Sequence, residues 1–318
     1  MSHVLVTGAN GFVGRSLCHA LQGAGHGVAG LVRRAGQLER DVDEWLDSSV
    51  DFAGVDAAWP AAGQIDCVVH LAARVHVMRD KAVEPDAAFR ATNVDGALRV
   101  AQAAWQRGVR RFVFVSSVKA LGEHNVGRPL LEDDLAKPQD AYGRSKLAAE
   151  QALLRYGQET GLDVVIVRPP LVYGPHVRAN FLRLMDAISK GMPLPLASVA
   201  ARRSLVYVDN LADALMRCAT DARAARQCFH VADANTLTVA ELARALGRHL
   251  QRPARLVPVP ASWLRHAGRM IGRSAYVDRL IGPLELDTTR IRCVLHWEPP
   301  YSIDEGLAAT CRWYRSTH

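Results

Sequence analysis

Short apolar runs alternate with longer stretches of helical periodicity over residues 1–170. Continuous apolar character is typical of strands that are buried on both faces of a parallel sheet. The intervening stretches repeat apolar positions every three or four residues, which predicts amphipathic helices. We therefore predict an α/β fold with a doubly wound parallel sheet. The predicted strands are residues 3–7, 27–32, 65–73, 110–117 and 164–168, with residues 49–52 as a further candidate.

A glycine-rich turn joins the first predicted strand to the first predicted helix. Gly8, Gly11 and Gly14 have the spacing G-x-x-G-x-x-G, with Phe12 and Val13 between the last two. Glycines at such a turn let backbone N–H groups approach a pyrophosphate at the helix N-terminus. The spacing differs from the commoner G-x-G-x-x-G, and an ordinary turn is the alternative. Because strand, turn and helix follow in the required order, we predict a Rossmann-type dinucleotide site.

The end of the second predicted strand bears on the type of coenzyme. NAD sites usually place Asp or Glu there to bind the ribose hydroxyls. This strand instead runs into Arg33 and Arg34, whose guanidinium groups suit a 2′-phosphate. The sequence therefore favours NADP(H), with NAD(H) as the alternative coenzyme and surface arginines as the alternative role. Further on, Asp51 is either a contact for the adenine amino group or a simple loop residue.

A tyrosine and a lysine lie four residues apart in a helix predicted over residues 140–160. Tyr142 and Lys146 therefore share one helix face. A nearby cation favours the phenolate and lowers the tyrosine pKa from about 10, which suits acid–base chemistry near neutral pH. A lone pair with this spacing is more often part of a solvated helix face. Here Ser116 and Ser117 close a predicted strand at the end where open α/β sheets bind ligands, so an active site is favoured.

Composition and charge narrow the classes of partner. The net charge of +7 suits acidic partners, and the arginines are dispersed rather than clustered with aromatic residues. We therefore expect phosphate-bearing small molecules and no nucleic acid. The six cysteines are scattered without a C-x-x-C pair, which is typical of reduced cytosolic thiols and predicts no metal site. No targeting segment or run of ~18 apolar residues is present, so we expect a cytoplasmic protein without membrane insertion.

Motifs along essentially the whole chain resemble the extended short-chain dehydrogenase/reductases of the NAD-dependent epimerase/dehydratase family. They are TGANGFVG (7–14), HLAA (70–73), NVDG (93–96), SSVKALG (116–122), YGRSK (142–146), RPPLVYGP (168–175), RSLVYVDNLADAL (203–215) and LDTTRIRCVLHWEPPYSIDEGL (286–307). SSVKALGE, NFLRLM and GMPLPL resemble the UDP-N-acetylquinovosamine dehydrogenase subgroup of its nucleotide-sugar branch. The resemblance implies hydride transfer between a nicotinamide dinucleotide and C4 of a UDP-sugar.

The resemblance also implies roles for the matching residues. Tyr142 would exchange the proton at the sugar C4 oxygen, Ser117 would hydrogen-bond that oxygen, and Lys146 would hold the nicotinamide ribose. The residues expected to bind the coenzyme are Gly8, Gly11, Phe12, Val13, Gly14, Arg33, Arg34, Asp51, Leu71, Ala72, Ala73, Asn93, Tyr142, Lys146 and Pro169. Those expected to bind the nucleotide sugar are Ser117, Tyr142, Asn180, Arg203 and Arg279.

Departures from the family pattern bear on the reaction. Relatives that dehydrate sugar nucleotides carry Asp-Glu directly after the Ser or Thr, whereas this chain has Val118 and Lys119. Neither side chain can replace an acid pair, which argues against a 4,6-dehydratase. Leu121 also replaces a tyrosine common in relatives, so the sugar pocket is expected to differ in shape.

Three functions remain open from the sequence. The favoured one is a 4-ketoreductase that reduces UDP-2-acetamido-2,6-dideoxy-4-keto-hexose to UDP-N-acetylquinovosamine for surface polysaccharide synthesis. The NADP(H) signal at Arg33 and Arg34 suits an enzyme that exchanges its coenzyme at every turnover. The alternatives are a UDP-hexose 4-epimerase on the same residues and a binding protein that keeps the fold without the chemistry.

The resemblance implies a division of the chain and an assembly. Residues 1–169 would form the dinucleotide-binding domain, and residues 170–318 a smaller substrate-binding domain partly interleaved with the sheet. Residues 93–106 and 142–160 resemble the helix pair at the dimer surface of the family, so a homodimer is expected.

Overall fold

A seven-stranded parallel sheet forms the centre of the protein. The computed structural model describes residues 1–39, 41–59, 64–75, 84–125, 127–270, 272, 277–278 and 281–318. The strands are β1 (His3–Thr7), β2 (Gly27–Val32), β3 (Asp43–Leu46), β4 (Cys67–His70), β5 (Arg111–Val115), β6 (Asp163–Arg168), β7 (Leu171–Tyr173), β8 (Arg202–Arg203), β9 (Leu205–Tyr207), β10 (Cys228–His230) and β11 (Leu237–Thr238). The order across the large sheet is β10-β6-β5-β4-β1-β2-β3.

Helices cover both faces of this sheet. They are α1 (Phe12–Gly23), α2 (Val55–Ala58), α3 (Pro85–Arg90), α4 (Ala97–Gln106), α5 (Ala141–Thr160), α6 (Ala179–Ser189), α7 (Val208–Thr220), α8 (Val239–His249), α9 (Ala261–Met270), α10 (Thr289–Leu295) and α11 (Ile303–Thr317). On one face α1 and α7 share a core with Val4, and on the other α4 and α5 share a core with Leu5. Neighbouring residues of β1 thus enter opposite cores, which confirms the predicted doubly wound α/β fold.

Helix α5 begins and ends on local signals in the sequence. The Asp140 carboxylate N-caps the helix by accepting a hydrogen bond from the Gly143 N–H at 2.7 Å. Gly161 ends it with a φ of 84°, a left-handed conformation that glycine adopts without strain. The helix predicted over residues 140–160 is therefore confirmed.

The candidate third strand was placed too late in the sequence. The strand that pairs with β2 is β3, and Val50–Phe52 forms a short 3₁₀ turn after it. Asp51 has a φ of 53°, which is incompatible with an extended strand. A π-helical segment, Ala91–Gly96, separates α3 from α4.

The chain after residue 170 builds a second core and also contributes to the sheet. Residues of α6, α8 and α11 form the second core, and Phe12 and Val13 at the start of α1 pack against it. Strand β10 pairs with β6, so the two parts of the chain are interleaved. The boundary between residues 169 and 170 stays a prediction. None of the helices in the described ranges is long and apolar enough to cross a membrane.

Candidate active site

The glycine-rich turn lies at the carboxyl end of β1 and leads into α1. Gly8 has a φ of 69°, and a Cβ on Gly14 would lie 2.2 Å from the Gly8 carbonyl oxygen, so neither position accepts a side chain without strain. Gly11 N-caps α1, and among the described residues no side chain caps this helix and no acid lies in its first turn. The N–H groups at the start of α1 therefore fit a pyrophosphate.

The residues directly after the carboxyl end of β4 pack against this turn. A Cβ on Gly8 would lie 3.1 Å from the Ala72 nitrogen, so only a close-packed backbone fits here. Thr7 Oγ1 accepts a hydrogen bond from the Ala72 N–H at 3.3 Å and lies 3.0 Å from His70 Nδ1. Burial lowers the pKa of His70 to about 3, so its ring is neutral and has a structural role. The predicted coenzyme residues that are half-buried nearby are Phe12, Val13, Leu71 and Ala73.

The three predicted catalytic side chains lie together beyond the carboxyl end of β5. Lys146 is only 1% exposed, and its Nζ donates a hydrogen bond to the Val115 carbonyl oxygen at 2.8 Å. The same Nζ lies 4.5 Å from the ring centroid of Phe114 and 5.9 Å from that of Tyr142. The Ser117 hydroxyl is close enough to the Tyr142 phenol to act on its pKa. A phenol, a hydroxyl and an amine thus share one end of the sheet.

Burial dominates the charge states in this group. It lowers the pKa of Lys146 to about 7, while the Glu150 carboxylate acts in the opposite direction. Burial raises the pKa of the Tyr142 phenol above its usual value, Asp140 adds to that rise, and the nearby Ser117 hydroxyl opposes it. The expectation of a lowered tyrosine pKa is therefore wrong for the protein alone, because desolvation of the phenolate outweighs the neighbouring amine.

Asn93 joins the loop after β4 to the catalytic helix. It is 1% exposed, and its Oδ1 accepts a hydrogen bond from the Arg74 N–H at 2.8 Å. Its Nδ2 donates to the Arg74 carbonyl oxygen at 3.1 Å and to Ser145 Oγ at 2.9 Å. These bonds give Asn93 a supporting role, and a direct contact with the coenzyme stays a prediction.

An acidic side chain binds the loop that follows the two arginines after β2. Arg33 and Arg34 are exposed. Glu44 of β3 accepts hydrogen bonds from the N–H groups of residues 36–38 at 2.7, 3.0 and 3.3 Å, and these bonds lower the pKa of its carboxyl group. A negative charge therefore lies against the loop that carries the arginines, which the sequence alone did not indicate.

Asp47, near the same edge of the sheet, is an acid that was not predicted as a site residue. Asp51, which was predicted, lies in the 3₁₀ turn after β3 and accepts a hydrogen bond from Thr92 Oγ1 at 2.5 Å. Asp47 directly follows β3, is 6% exposed and accepts a hydrogen bond from the Ser49 N–H at 2.9 Å. Its Oδ2 is buried without a hydrogen-bond partner among the described residues, so it fits a polar group of a bound coenzyme better than Asp51 does. The strand before Asp47, DEWL, begins with two acids and lacks the continuous apolar pattern of a buried strand, so the sequence contains little signal for this residue.

The residues expected on the substrate side are more dispersed. Asn180 is exposed in the first turn of α6. Arg203 lies on β8, donates from Nη1 to the Gly282 carbonyl oxygen at 2.6 Å, and has its pKa lowered by burial. Pro169, which was expected to bind the coenzyme, directly follows β6, and its carbonyl oxygen accepts a hydrogen bond from the Val118 N–H at 3.0 Å. Arg279 lies outside the described residues. The binding roles of these four residues stay predictions.

Comparison with known proteins places this arrangement in a family. The model of the NAD dependent epimerase/dehydratase family matches residues 4–232. The chain is 38% identical to a UDP-glucose 4-epimerase of Vibrio cholerae over 97% of its own length and 94% of the relative. It therefore belongs to the NAD dependent epimerase/dehydratase family, as the motifs indicated, and it is an enzyme of that family.

Solved structures show the same fold. UDP-glucose 4-epimerase of Thermotoga maritima with UDP-glucose has a TM-score of 0.79 at 24% identity, with 99% of each chain covered. The Thermus thermophilus UDP-glucose 4-epimerase in complex with NAD has a TM-score of 0.78 at 24% identity, with 99% of this chain and 100% of that chain covered. The family is NAD-dependent, and the preference for NADP(H) expected from Arg33 and Arg34 gains no support.

The geometry predicts the effect of removing one phenolic oxygen. Tyr142→Phe keeps the ring and the packing but removes the group that exchanges a proton, so turnover at a sugar C4 should fall by roughly 10²–10⁴-fold. Binding of the coenzyme, measured by fluorescence titration, should change little. Tyr156→Phe, on the same helix and away from Ser117, is the control and should retain turnover. A Tyr142→Phe variant with near wild-type rates would contradict the acid–base role.

Proposed function

We propose that the protein is a UDP-hexose 4-epimerase, which interconverts the C4 epimers of a UDP-sugar through reversible oxidation at that carbon. The observation that carries the proposal is the grouping of the Tyr142 phenol with the Ser117 hydroxyl and the buried Lys146, whose Nζ lies 5.9 Å from the Tyr142 ring centroid. This arrangement occurs in a chain 38% identical, over nearly its whole length, to a UDP-glucose 4-epimerase. Fold similarity alone would not support a substrate, and the site residues supply the chemical part of the argument.

The side chains divide the proton chemistry between them. Tyr142 takes the proton of the C4 hydroxyl as C4 is oxidised and returns it when the ketone is reduced. Ser117, whose hydroxyl lies near the phenol, donates to the C4 oxygen while negative charge develops there. NAD, when bound, supplies the hydride acceptor and donor. Lys146, whose Nζ lies 5.9 Å from the Tyr142 ring centroid, favours the phenolate when it is protonated.

The nature of the turn after Ser117 favours redox chemistry over dehydration. Val118 is buried and apolar, and Lys119 pairs with Asp140 and Glu123. Elimination of water across C5 and C6 needs an acid and a base next to the sugar. A valine and a paired lysine supply neither, so the proposal excludes a 4,6-dehydratase.

A 4-ketoreductase is the second candidate. It would use the same three residues for one half of the cycle, reducing UDP-2-acetamido-2,6-dideoxy-4-keto-hexose to UDP-N-acetylquinovosamine for surface polysaccharide synthesis. The observation in its favour is the exposed pair Arg33 and Arg34, which suits a coenzyme that is exchanged at every turnover. The curated relative named above is an epimerase, so we place the ketoreductase second.

The proposal includes a homodimer in the cytoplasm. Helices α4 and α5 pack against each other and leave the large apolar side chains Trp105 and Leu154 exposed, at 43% and 39%. A helix pair of this kind suits a second copy of the chain. All six cysteines are free, which fits a reducing compartment.

One assay separates the two candidate reactions. Purified protein with UDP-glucose and a catalytic amount of NAD should produce UDP-galactose, detected by chromatography, without net formation of NADH. Stoichiometric loss of the NADH or NADPH absorbance with the 4-keto sugar, without any interconversion of UDP-hexoses, would replace the epimerase by the ketoreductase. A Tyr142→Phe sample controls for contaminating activities.

The coenzyme can be tested by binding alone. We expect NADH to bind at least about tenfold more tightly than NADPH, because Glu44 adds a negative charge beside the loop that would meet a 2′-phosphate. Glu44→Gln should narrow this difference by strengthening NADPH binding, and replacing Arg33 and Arg34 by alanine should widen it. Tighter binding of NADPH by the unaltered protein would restore the coenzyme preference that the arginines indicated.

A further inference from the structure

Lys119 occupies a position between the turn that carries Ser117 and the start of the catalytic helix. Its Nζ lies 2.7 Å from Asp140 Oδ2 and 3.2 Å from Glu123 Oε1. Asp140 uses its other oxygen, Oδ1, to cap α5 at the Gly143 N–H. One carboxylate thus serves the helix and the lysine at once. The side chains of Lys119 and Asp140 are 29% and 12% exposed, so solvent screens this pair only in part.

The backbone of Lys119 makes the same connection. Its N–H donates to Ser117 Oγ at 3.3 Å, which caps the short 3₁₀ turn Val118–Ala120. Its carbonyl oxygen would lie 2.4 Å from a Cβ on Gly143, so turn and helix are in close backbone contact. Ser117 and Tyr142 belong to these two elements. The contact between Lys119 and Asp140 therefore holds Ser117 and Tyr142 at a set distance from each other.

Charge is the second constraint at this contact. Asp140 is two residues from Tyr142, and a carboxylate there opposes formation of a phenolate and raises the pKa of Tyr142. The cation of Lys119 lies directly on that carboxylate. Without the Lys119 cation, the negative charge of Asp140, which caps α5, would act on the phenol uncompensated.

The other cations near Tyr142 bind other groups, so compensation of the Asp140 charge falls to Lys119. Arg144 points its guanidinium at Asp86 of α3, 3.0 Å away, and the ring facing Tyr142 from α3 is the uncharged Phe89. Lys146 donates to the Val115 carbonyl oxygen, with its Nζ 5.9 Å from the Tyr142 ring centroid. Glu123 adds a further negative charge that Lys119 also contacts.

We propose that Lys119 is a positioning residue that ties the Ser117 turn to the N-terminus of the catalytic helix and neutralises Asp140 beside Tyr142. Lys119 occupies the second of the two positions at which dehydratases of the family carry Asp-Glu. The role deepens the proposed C4 chemistry and rests on it for the proton-transfer step, while the tie between turn and helix exists without any substrate.

The first test measures proton transfer as a function of pH. Oxidation of a C4 hydroxyl requires Tyr142 as phenolate, so the rate rises with pH through the apparent pKa of that group. Lys119→Met should shift this pKa upward by about one unit and lower kcat about tenfold below it, with KM for the UDP-sugar unchanged. Lys119→Arg should stay close to the unaltered protein. Lys137→Met, at an exposed lysine in the same connecting segment, is the control.

A double variant separates charge from packing. Asn caps helices as well as Asp, so Asp140→Asn keeps the cap and removes the charge. In the Lys119→Met background, Asp140→Asn should return the pH profile to that of the unaltered protein. An unmoved profile in Lys119→Met, a failure of the double variant to restore it, or a loss confined to KM would overturn the proposal; the last result would make Lys119 a substrate contact.

A second measurement does not depend on activity. Hydrogen exchange of the first turn of α5, followed by mass spectrometry without any ligand, should be faster in Lys119→Met and unchanged in Lys119→Arg and Lys137→Met. Equal exchange in all variants would overturn the tie between turn and helix. Absence of C4 chemistry in the unaltered protein would instead count against the proposed function and leave this readout intact.

Discussion

A buried ammonium group constrains the layout of the site. Removing an ion from water costs several kcal/mol unless other groups replace its hydration. Lys146 is compensated by the Val115 carbonyl oxygen, the face of the Phe114 ring and the Glu150 carboxylate one turn along α5. Glu150 is itself 2% exposed and is held by two hydrogen bonds from Arg168, at 2.9 and 2.6 Å. Charges of alternating sign thus run from the catalytic helix to the end of β6, and removing one would leave its neighbour buried and unpaired.

This chain of charges makes α5 a rigid link between the coenzyme side and the substrate side. Arg168 also donates to the Glu132 carbonyl oxygen at 2.8 Å, and Pro169 follows it directly at the end of the strand. At the helix start, Asp140 is shared between the Gly143 N–H and Lys119. Tyr142 lies between these two fixed points. Its phenol can therefore meet Ser117 with little conformational freedom left to lose, which is the condition for effective proton transfer.

The features that could be predicted from the sequence are those set by residues close together along the chain. The limits of α5 depend on Asp140 and Gly161, which act on their own helix ends, and both could be identified directly. The place of Glu44 against the loop after β2 depends on the pairing of β2 with β3, in which Gly30 lies opposite Glu44. Sequence spacing does not fix that register, since the loop between the strands has no set length. Because of the same register, the acid directly after the strand is Asp47 and not Asp51.

The pKa of Tyr142 was misjudged for a related reason. Its spacing from Lys146 is visible in the sequence, but the degree of burial is a property of the packed site. Once both groups are removed from water, desolvation becomes the largest cause of both shifts: it raises the pKa of the phenol and lowers that of the amine. The acids closest to the Ser117 turn, Glu123 and Asp140, are both in contact with Lys119. In the C4 chemistry that we propose, proton transfer is then left to Tyr142, and a single acid–base group suits reversible oxidation at one carbon.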